Sequence, residues 1–161
     1  MSVVTLETFI RAPAEVCFDA ARDIDLHAGH AASPLPHRPV AGVTSGLISL
    51  GEEVTWDATF LGVPQRLTSR IVAYDRPRAF TDEMQRGPFR RWRHTHLFEP
   101  REGGTLMRDR VEFASPAGPL GALLDFLYLK SFVRRFLLSQ NARLKGSGRV
   151  GEQLRIKNRQ A

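Results

Sequence analysis

Residues 87–113 read Gly87-Pro88-Phe89-Arg90-Arg91-Trp92-Arg93-His94-Thr95-His96-Leu97-Phe98-Glu99-Pro100-Arg101-Glu102-Gly103-Gly104-Thr105-Leu106-Met107-Arg108-Asp109-Arg110-Val111-Glu112-Phe113. Two alternating runs flank a glycine turn. Trp92, His94, His96 and Phe98 repeat every second residue, so they share one face of a strand. Thr105, Met107, Asp109, Val111 and Phe113 share one face of the next. A regular hairpin about residues 101–104 sets His96 opposite Asp109 and His94 opposite Val111, with a long side chain still able to reach its diagonal neighbour. Arg108, Arg110 and Glu112 alternate with the second run, so the Val111–Phe113 face points inward.

Upstream, the same reading gives more strands. Val3 to Ile10 is rich in β-branched residues. Glu52 to Leu61 carries Val54, Trp56, Ala58 and Phe60 on one face. Gln65 to Tyr74 carries Leu67, Ser69, Ile71 and Ala73, after a turn at Gly62-Val63-Pro64. Leu47 to Leu50 and Ala79 to Gln85 complete the set. Short strands joined by tight turns predict an antiparallel meander. Between the first strand and the meander, Pro13 opens a helix through about Ala21. Asp23 caps a second short helix. Residues 33–39 hold three prolines and read as irregular.

Downstream, Pro116, Gly118 and Pro119 mark a change of period. Apolar residues then fall at 120, 123, 124, 127, 129, 132, 133, 136 and 137. That is helical spacing over about 25 residues, roughly 38 Å of helix. A helix this apolar needs a large apolar partner, and the sheet is the candidate. A curved sheet gripping one helix leaves a cavity between them that side chains do not fill.

These segments carry a resemblance. The stretch 87–98, with Gly103-Gly104-Thr105-Leu106-Met107-Arg108-Asp109 and Pro116-Ala117-Gly118-Pro119-Leu120-Gly121, resembles the START-like, polyketide-cyclase-like (SRPBCC) superfamily. The likeness covers residues 3 to about 144. It implies an α+β helix-grip fold, the one shared with birch-pollen-type allergens: a curved antiparallel sheet around a long C-terminal helix, with two short helices after the first strand. The subgroup it looks like is bacterial and is described as cyclase/dehydrase or ligand-binding, some members being linked to cell division. The resemblance implies fold more firmly than function.

We expect one domain over residues 1–145, with a basic tail at 146–161. The 161 residues carry a net charge of +6, and residues 145–161 hold Lys145, Arg149, Arg155, Lys157 and Arg159 against Glu152. The tail has no aromatic residue, so no nucleic-acid partner is expected. The single cysteine, Cys17, excludes an internal disulfide and a cysteine zinc cage. It reads as a small buried hydrophobe on the first helix. The N-terminal segment lacks a secretory pattern and no stretch suits a membrane span. The expectation is a cytoplasmic protein without stable membrane insertion. No cofactor is implied, and there is no phosphate loop or nucleophile elbow. The oligomeric state is not read from the sequence.

The expected partner is a hydrophobic or amphipathic small molecule. We assign Trp56, Ser69, Glu83, Trp92, Met107, Leu124 and Tyr128 to the cavity lining. His94, His96 and Asp109 form the polar group, and three readings remain open for it. A buried imidazole facing a carboxylate is a satisfied core network. Convergent polar groups in an apolar cavity also orient a ligand. A histidine–carboxylate pair also moves protons, the chemistry of a cyclase, dehydratase or aromatase-like lyase. His-x-His on a strand suits zinc given a third ligand, for which Asp109 or Glu83 would serve, but no metal site is assigned. His27, His30 and His37 are placed in exposed loops. Arg66, Arg70, Arg90, Arg91, Arg93, Arg108 and Arg110 stud the outer face of the sheet, and with the tail they would matter if the chain acted on a protein partner.

Overall fold

The chain alternates polar and apolar residues through most of its length, and a computed structural model shows what that pattern builds. It describes residues 1–29, 33–60, 62–116 and 118–147, and only the backbone at 122 and 124–126. Strand β1 (Ser2–Ile10) leads into helices α1 (Ala14–Ala21) and α2 (Ile24–His27). Strands β2 (His37–Gly42), β3 (Glu53–Phe60), β4 (Val63–Asp75), β5 (Ala79–Arg86), β6 (Arg91–Arg101) and β7 (Gly104–Ala114) follow. The chain then runs through α3 (Gly118–Leu124), a π-helical turn (Asp125–Leu129) and α4 (Lys130–Lys145). The strands form one seven-stranded antiparallel sheet in the order β1-β7-β6-β5-β4-β3-β2. The helix-grip architecture expected from the sequence is present.

The β6–β7 hairpin has the predicted register, with His96 opposite Asp109 and His94 opposite Val111. Gly104 begins β7 beside β1, where a Cβ would come within 2.2 Å of the Ile10 carbonyl oxygen. Only glycine lets the two backbones approach there. Register shifts between Pro39 and Ala41, between Thr68 and Ser69, and between Ile71 and Ala73 interrupt the ladders. Such bulges bend and twist strands, which curves a sheet around a helix.

Cross-strand ion pairs lace the outer face. Arg66 faces Asp57, Arg70 faces Glu53, Arg93 faces Glu83 and Arg108 faces Glu7, each directly opposed in the ladder and each in contact. Opposite charges at these positions favour this register over a slipped one. The arginines expected on the solvated face are therefore mostly paired with carboxylates of neighbouring strands.

Two apolar clusters fill the inner face. One surrounds Phe18 of α1, whose ring meets Tyr74, Phe80 and Phe98 edge-on at centroid distances of 5.1, 5.2 and 5.4 Å. The other joins Val4, Leu6, Val111 and Phe113 of the sheet to Leu129, Val133 and Leu137 of the C-terminal helix.

Four local expectations need correction. Residues 37–42 form a strand despite Pro39, because β2 is the sheet edge and pairs only with β3. Leu47 to Leu50 is not a strand and contributes one isolated bridge, Asp23 to Leu47. The bulge after Ile71 reverses the alternation, turning Ala73 outward and packing Tyr74 against the core. Finally, Leu120, Leu123 and Leu127 face solvent, whereas Leu129, Val133 and Leu137 are buried. The change falls within the π turn, where Leu127 is exposed and Leu129 is buried, and the turn alters which residues face the sheet. The basic tail expected at 146–161 lies outside the described residues from 148 onward.

Candidate ligand cavity

Between the sheet and the C-terminal helix lies a cavity of about 500 Å³. That size falls within the range of small-molecule sites. Val54, Trp56, Ala58 and Phe60 of β3 form one wall, and Leu67, Ser69 and Ile71 of β4 extend it. Phe89 and Trp92 pack with tilted rings at a centroid distance of 5.0 Å. Leu129, Phe132, Val133 and Phe136 close it from the helix. The lining is apolar except for a few groups, chief among them Asp82, His94 and His96, which lie together.

The strand register explains that group. Asp82 of β5 pairs with His94, and Phe80 with His96, so both histidines and Asp82 project from one face. His94 Nε2 donates to Asp109 Oδ1 at 3.1 Å. His96 Nδ1 lies 2.9 Å from the same oxygen, but without good hydrogen-bond alignment. Asn141 Nδ2 of α4 donates to Asp109 Oδ2 at 2.6 Å and also reaches Thr8 Oγ1 at 3.0 Å. The Asp109 carboxylate therefore anchors two strands and the helix together. Toward the cavity, His94 Nδ1 and His96 Nε2 each lie 3.9 Å from Asp82 Oδ2. The His96 ring stacks on Phe80 at 4.3 Å and lies 3.8 Å from that of His94.

This environment sets the charges. Burial alone would raise the Asp109 carboxyl, but the close His94 and His96 rings, one hydrogen-bonded and both attracting its charge, hold it well below the usual carboxylate range. Burial would lower His94, and Asp109 outweighs it, so His94 is raised. His96 gains less from Asp109, and burial plus the neighbouring His94 charge push it down to about 3. Burial raises Asp82. The cluster thus favours an ionised Asp109 and a neutral His96, and of the two histidines His94 takes a proton more readily.

The structure brings together some of the assigned residues and separates others. Trp56, Ser69, Trp92, His94 and His96 line the cavity. Asp109 is fully buried behind the two histidines and does not line it. Glu83 is on the opposite face, where its carboxylate pairs with Arg93. Met107 is fully buried in the Phe18 cluster. Tyr128, on the π turn, is 69% exposed and does not reach the cavity. The side chain of Leu124 lies outside the described residues. Sequence reasoning missed Asp82, although Phe80, two residues earlier, marks its inward parity. It also missed His27 and His37, which line the cavity rather than exposed loops. His27 Nδ1 donates to the Asp23 carbonyl at 3.2 Å, and burial pushes its pKa down to about 4. The His37 ring meets Trp56 at 5.1 Å and Phe136 at 5.6 Å. His30 lies outside the described residues.

Fold, cavity and sequence pattern agree with one family. The family model described as polyketide cyclase / dehydrase and lipid transport matches residues 1–147, and the chain belongs to that family. Among solved structures, a Thermus thermophilus protein is similar at 20% identity, TM-score 0.67, over 91% of this chain and 99% of that one. A START superfamily protein from Mycobacterium smegmatis is similar at 16% identity, TM-score 0.66, over 93% and 97%. A Rhodobacter sphaeroides protein is similar at 18% identity, TM-score 0.63, over 89% and 90%. These likenesses show the shared fold. No curated protein matches the chain. Among the described residues no helix is long and apolar enough to cross a membrane.

Proposed function

We propose that the protein binds an apolar or amphipathic small molecule, seating its oxygen-bearing end against Asp82, His94 and His96. The observation that carries this reading is the 500 Å³ cavity with apolar walls and one polar cluster. Aromatic metabolites, polyketide-like molecules and fatty acyl chains all combine an apolar body with oxygens at one end. Such a body gains from leaving water at roughly 25 cal/mol per Å² buried. Native mass spectrometry of protein incubated with an anthraquinone or a medium-chain fatty acid tests it. A saturable one-to-one adduct supports the reading, and its absence for every member of both series contradicts it.

The His94–Asp109 hydrogen bond favours a second reading, proton transfer on a poly-keto substrate in a cyclase or dehydratase-type reaction. Asp109 orients His94 and favours its protonated form, and His94 presents Nδ1 to the cavity. A positioned acid of this kind protonates a carbonyl or a leaving hydroxyl. A His94→Gln protein that keeps its ligand affinity and loses turnover of a poly-keto substrate supports it. Equal loss of both contradicts it.

A further inference from the structure

We propose that Asp82, His94 and His96 together form a binding site for a divalent first-row transition ion, zinc foremost, at the polar end of the cavity. The inference concerns the same end of the cavity as the ligand reading but does not depend on an organic ligand being bound.

Geometry is the first support. One ligand atom from each of the three residues lies within 4.8 Å of the others. Asp82 Oδ2 lies 3.9 Å from both His94 Nδ1 and His96 Nε2. That is too long for a hydrogen bond. Bonds of 2.0–2.1 Å in a tetrahedral site would place donors roughly 3.3 Å apart. Small side-chain rotations close the difference.

The second support lies behind the rings. His94 turns Nε2 and His96 turns Nδ1 toward Asp109 Oδ1, at 3.1 and 2.9 Å. A bare ring nitrogen would be repelled by a carboxylate oxygen at those distances, so each carries its proton on that side. The opposite nitrogens, those nearest Asp82, are then the ones available to a metal. A carboxylate holding the far N–H of a ligating histidine is the usual outer support of a metal site. Here one carboxylate serves both histidines, and Asn141 fixes that carboxylate in turn.

Charge and access are the third. Two carboxylates, Asp82 and Asp109, face two imidazoles, so a divalent cation balances the cluster with both imidazoles neutral. Two imidazoles and one carboxylate suit zinc and its neighbours better than calcium or magnesium. All three ligands line the cavity, which leaves a coordination position open to water or to a ligand oxygen. A metal and the His94 Nδ1 proton compete for one lone pair, so the ion and the proton-transfer reading exclude one another in the same molecule.

The test uses untagged full-length protein, stripped by chelator, with no organic ligand present. Zinc is titrated by calorimetry and cobalt(II) by visible absorption. The expected result is one saturable equivalent of each, with the intense visible bands of a low-coordinate cobalt(II) ion. Asp82→Asn and His96→Gln should each weaken binding by about tenfold or more. Glu83→Gln, on the outer face, should leave it unchanged. Circular dichroism checks that the variants fold, and the near-isosteric Asp82→Asn keeps the test decisive if His96→Gln does not. The proposal is overturned by failure of the wild type to saturate at one equivalent, or by affinity unaltered in Asp82→Asn. Because no organic ligand is present, either result leaves the small-molecule reading to be judged separately.

Discussion

Asp109 stands directly opposite His96 in the β6–β7 ladder, yet its well-aligned hydrogen bond comes from His94, two residues along β6, at 3.1 Å. The direct neighbour is at 2.9 Å but poorly aligned. One carboxylate thus acts on two imidazoles and favours the charged form of each, but at His96 burial and the neighbouring His94 charge outweigh it. His94 is raised and His96 is lowered. The pleat sets both rings on one face, 3.8 Å apart, so a charge on His94 acts directly on His96.

Replacing Asp109 by asparagine removes the buried charge and leaves partners it cannot satisfy together. Asn141 and both histidines direct N–H groups at it. An amide offers one acceptor oxygen in place of two and turns a donor toward them. Breaking a buried ionic network in this way costs about 3 kcal/mol. Urea denaturation at pH 7 should show a loss of that order for Asp109→Asn. A change near zero would mean that the carboxylate does not hold the network.

Removing the helix contribution should cost less. Asn141→Ala deletes the donor to Asp109 Oδ2 while leaving the histidines in place. A hydrogen bond to a charged group contributes about 1.5–3 kcal/mol. The double variant with Asp109→Asn should lose less than the sum of the two single losses, because both act through one contact. Strict additivity would contradict the coupling.

Acid stability should depend on Asp19. Its carboxylate lies in α1 and bridges Arg22 and Arg76. Partial burial would raise its pKa, but the hydrogen bonds from Arg76 and Arg22 lower it. A carboxyl lowered by folding contributes stability above its unfolded pKa, and that stability is lost as pH falls through the folded value. Asp19→Asn should therefore be less stable than wild type at pH 6, with the gap narrowing below about pH 4. Thermal melts from pH 7 to pH 3 measure this. A gap that persists unchanged at pH 3 would contradict it.

Cys17 should be inert in the folded protein. It is fully buried, and burial pushes its thiol up to about 11. Only the thiolate is nucleophilic. Reaction with a chromogenic disulfide at pH 8 should be slow in buffer and complete in denaturant. Rapid modification of the native protein would mean that the α1 core opens readily.

Comparison of sequence and structure separates what alternation encodes from what needs a neighbour. The hairpin register followed from the turn at 101–104 and gave the His96–Asp109 pairing directly. The inward side of β5 is not legible at Glu83 alone, because one strand's parity is open until an apolar residue such as Phe80 fixes it. Ala73 and Tyr74 exchanged faces because of a bulge, which adds a residue without any sequence mark. Leu120, Leu123 and Leu127 kept helical spacing but faced solvent, since the π turn changes the phase. His27 and His37 reach the cavity only through the packing of α2 and the edge strand, which local pattern does not describe.

The central claim is that the cavity between β3, β4 and the C-terminal helix takes a small apolar molecule. Ala58 lines it, with Trp56 and Phe60 on the same face of β3. Quenching of tryptophan fluorescence by an anthraquinone probe reports occupancy, because Trp56 and Trp92 are the only two tryptophans and both line the cavity. We predict saturable one-to-one quenching in the wild type, and affinity lowered by about tenfold or more in a folded Ala58→Phe variant, whose added ring occupies the site. Quenching of equal affinity in both proteins, or no saturation in the wild type, would contradict the account.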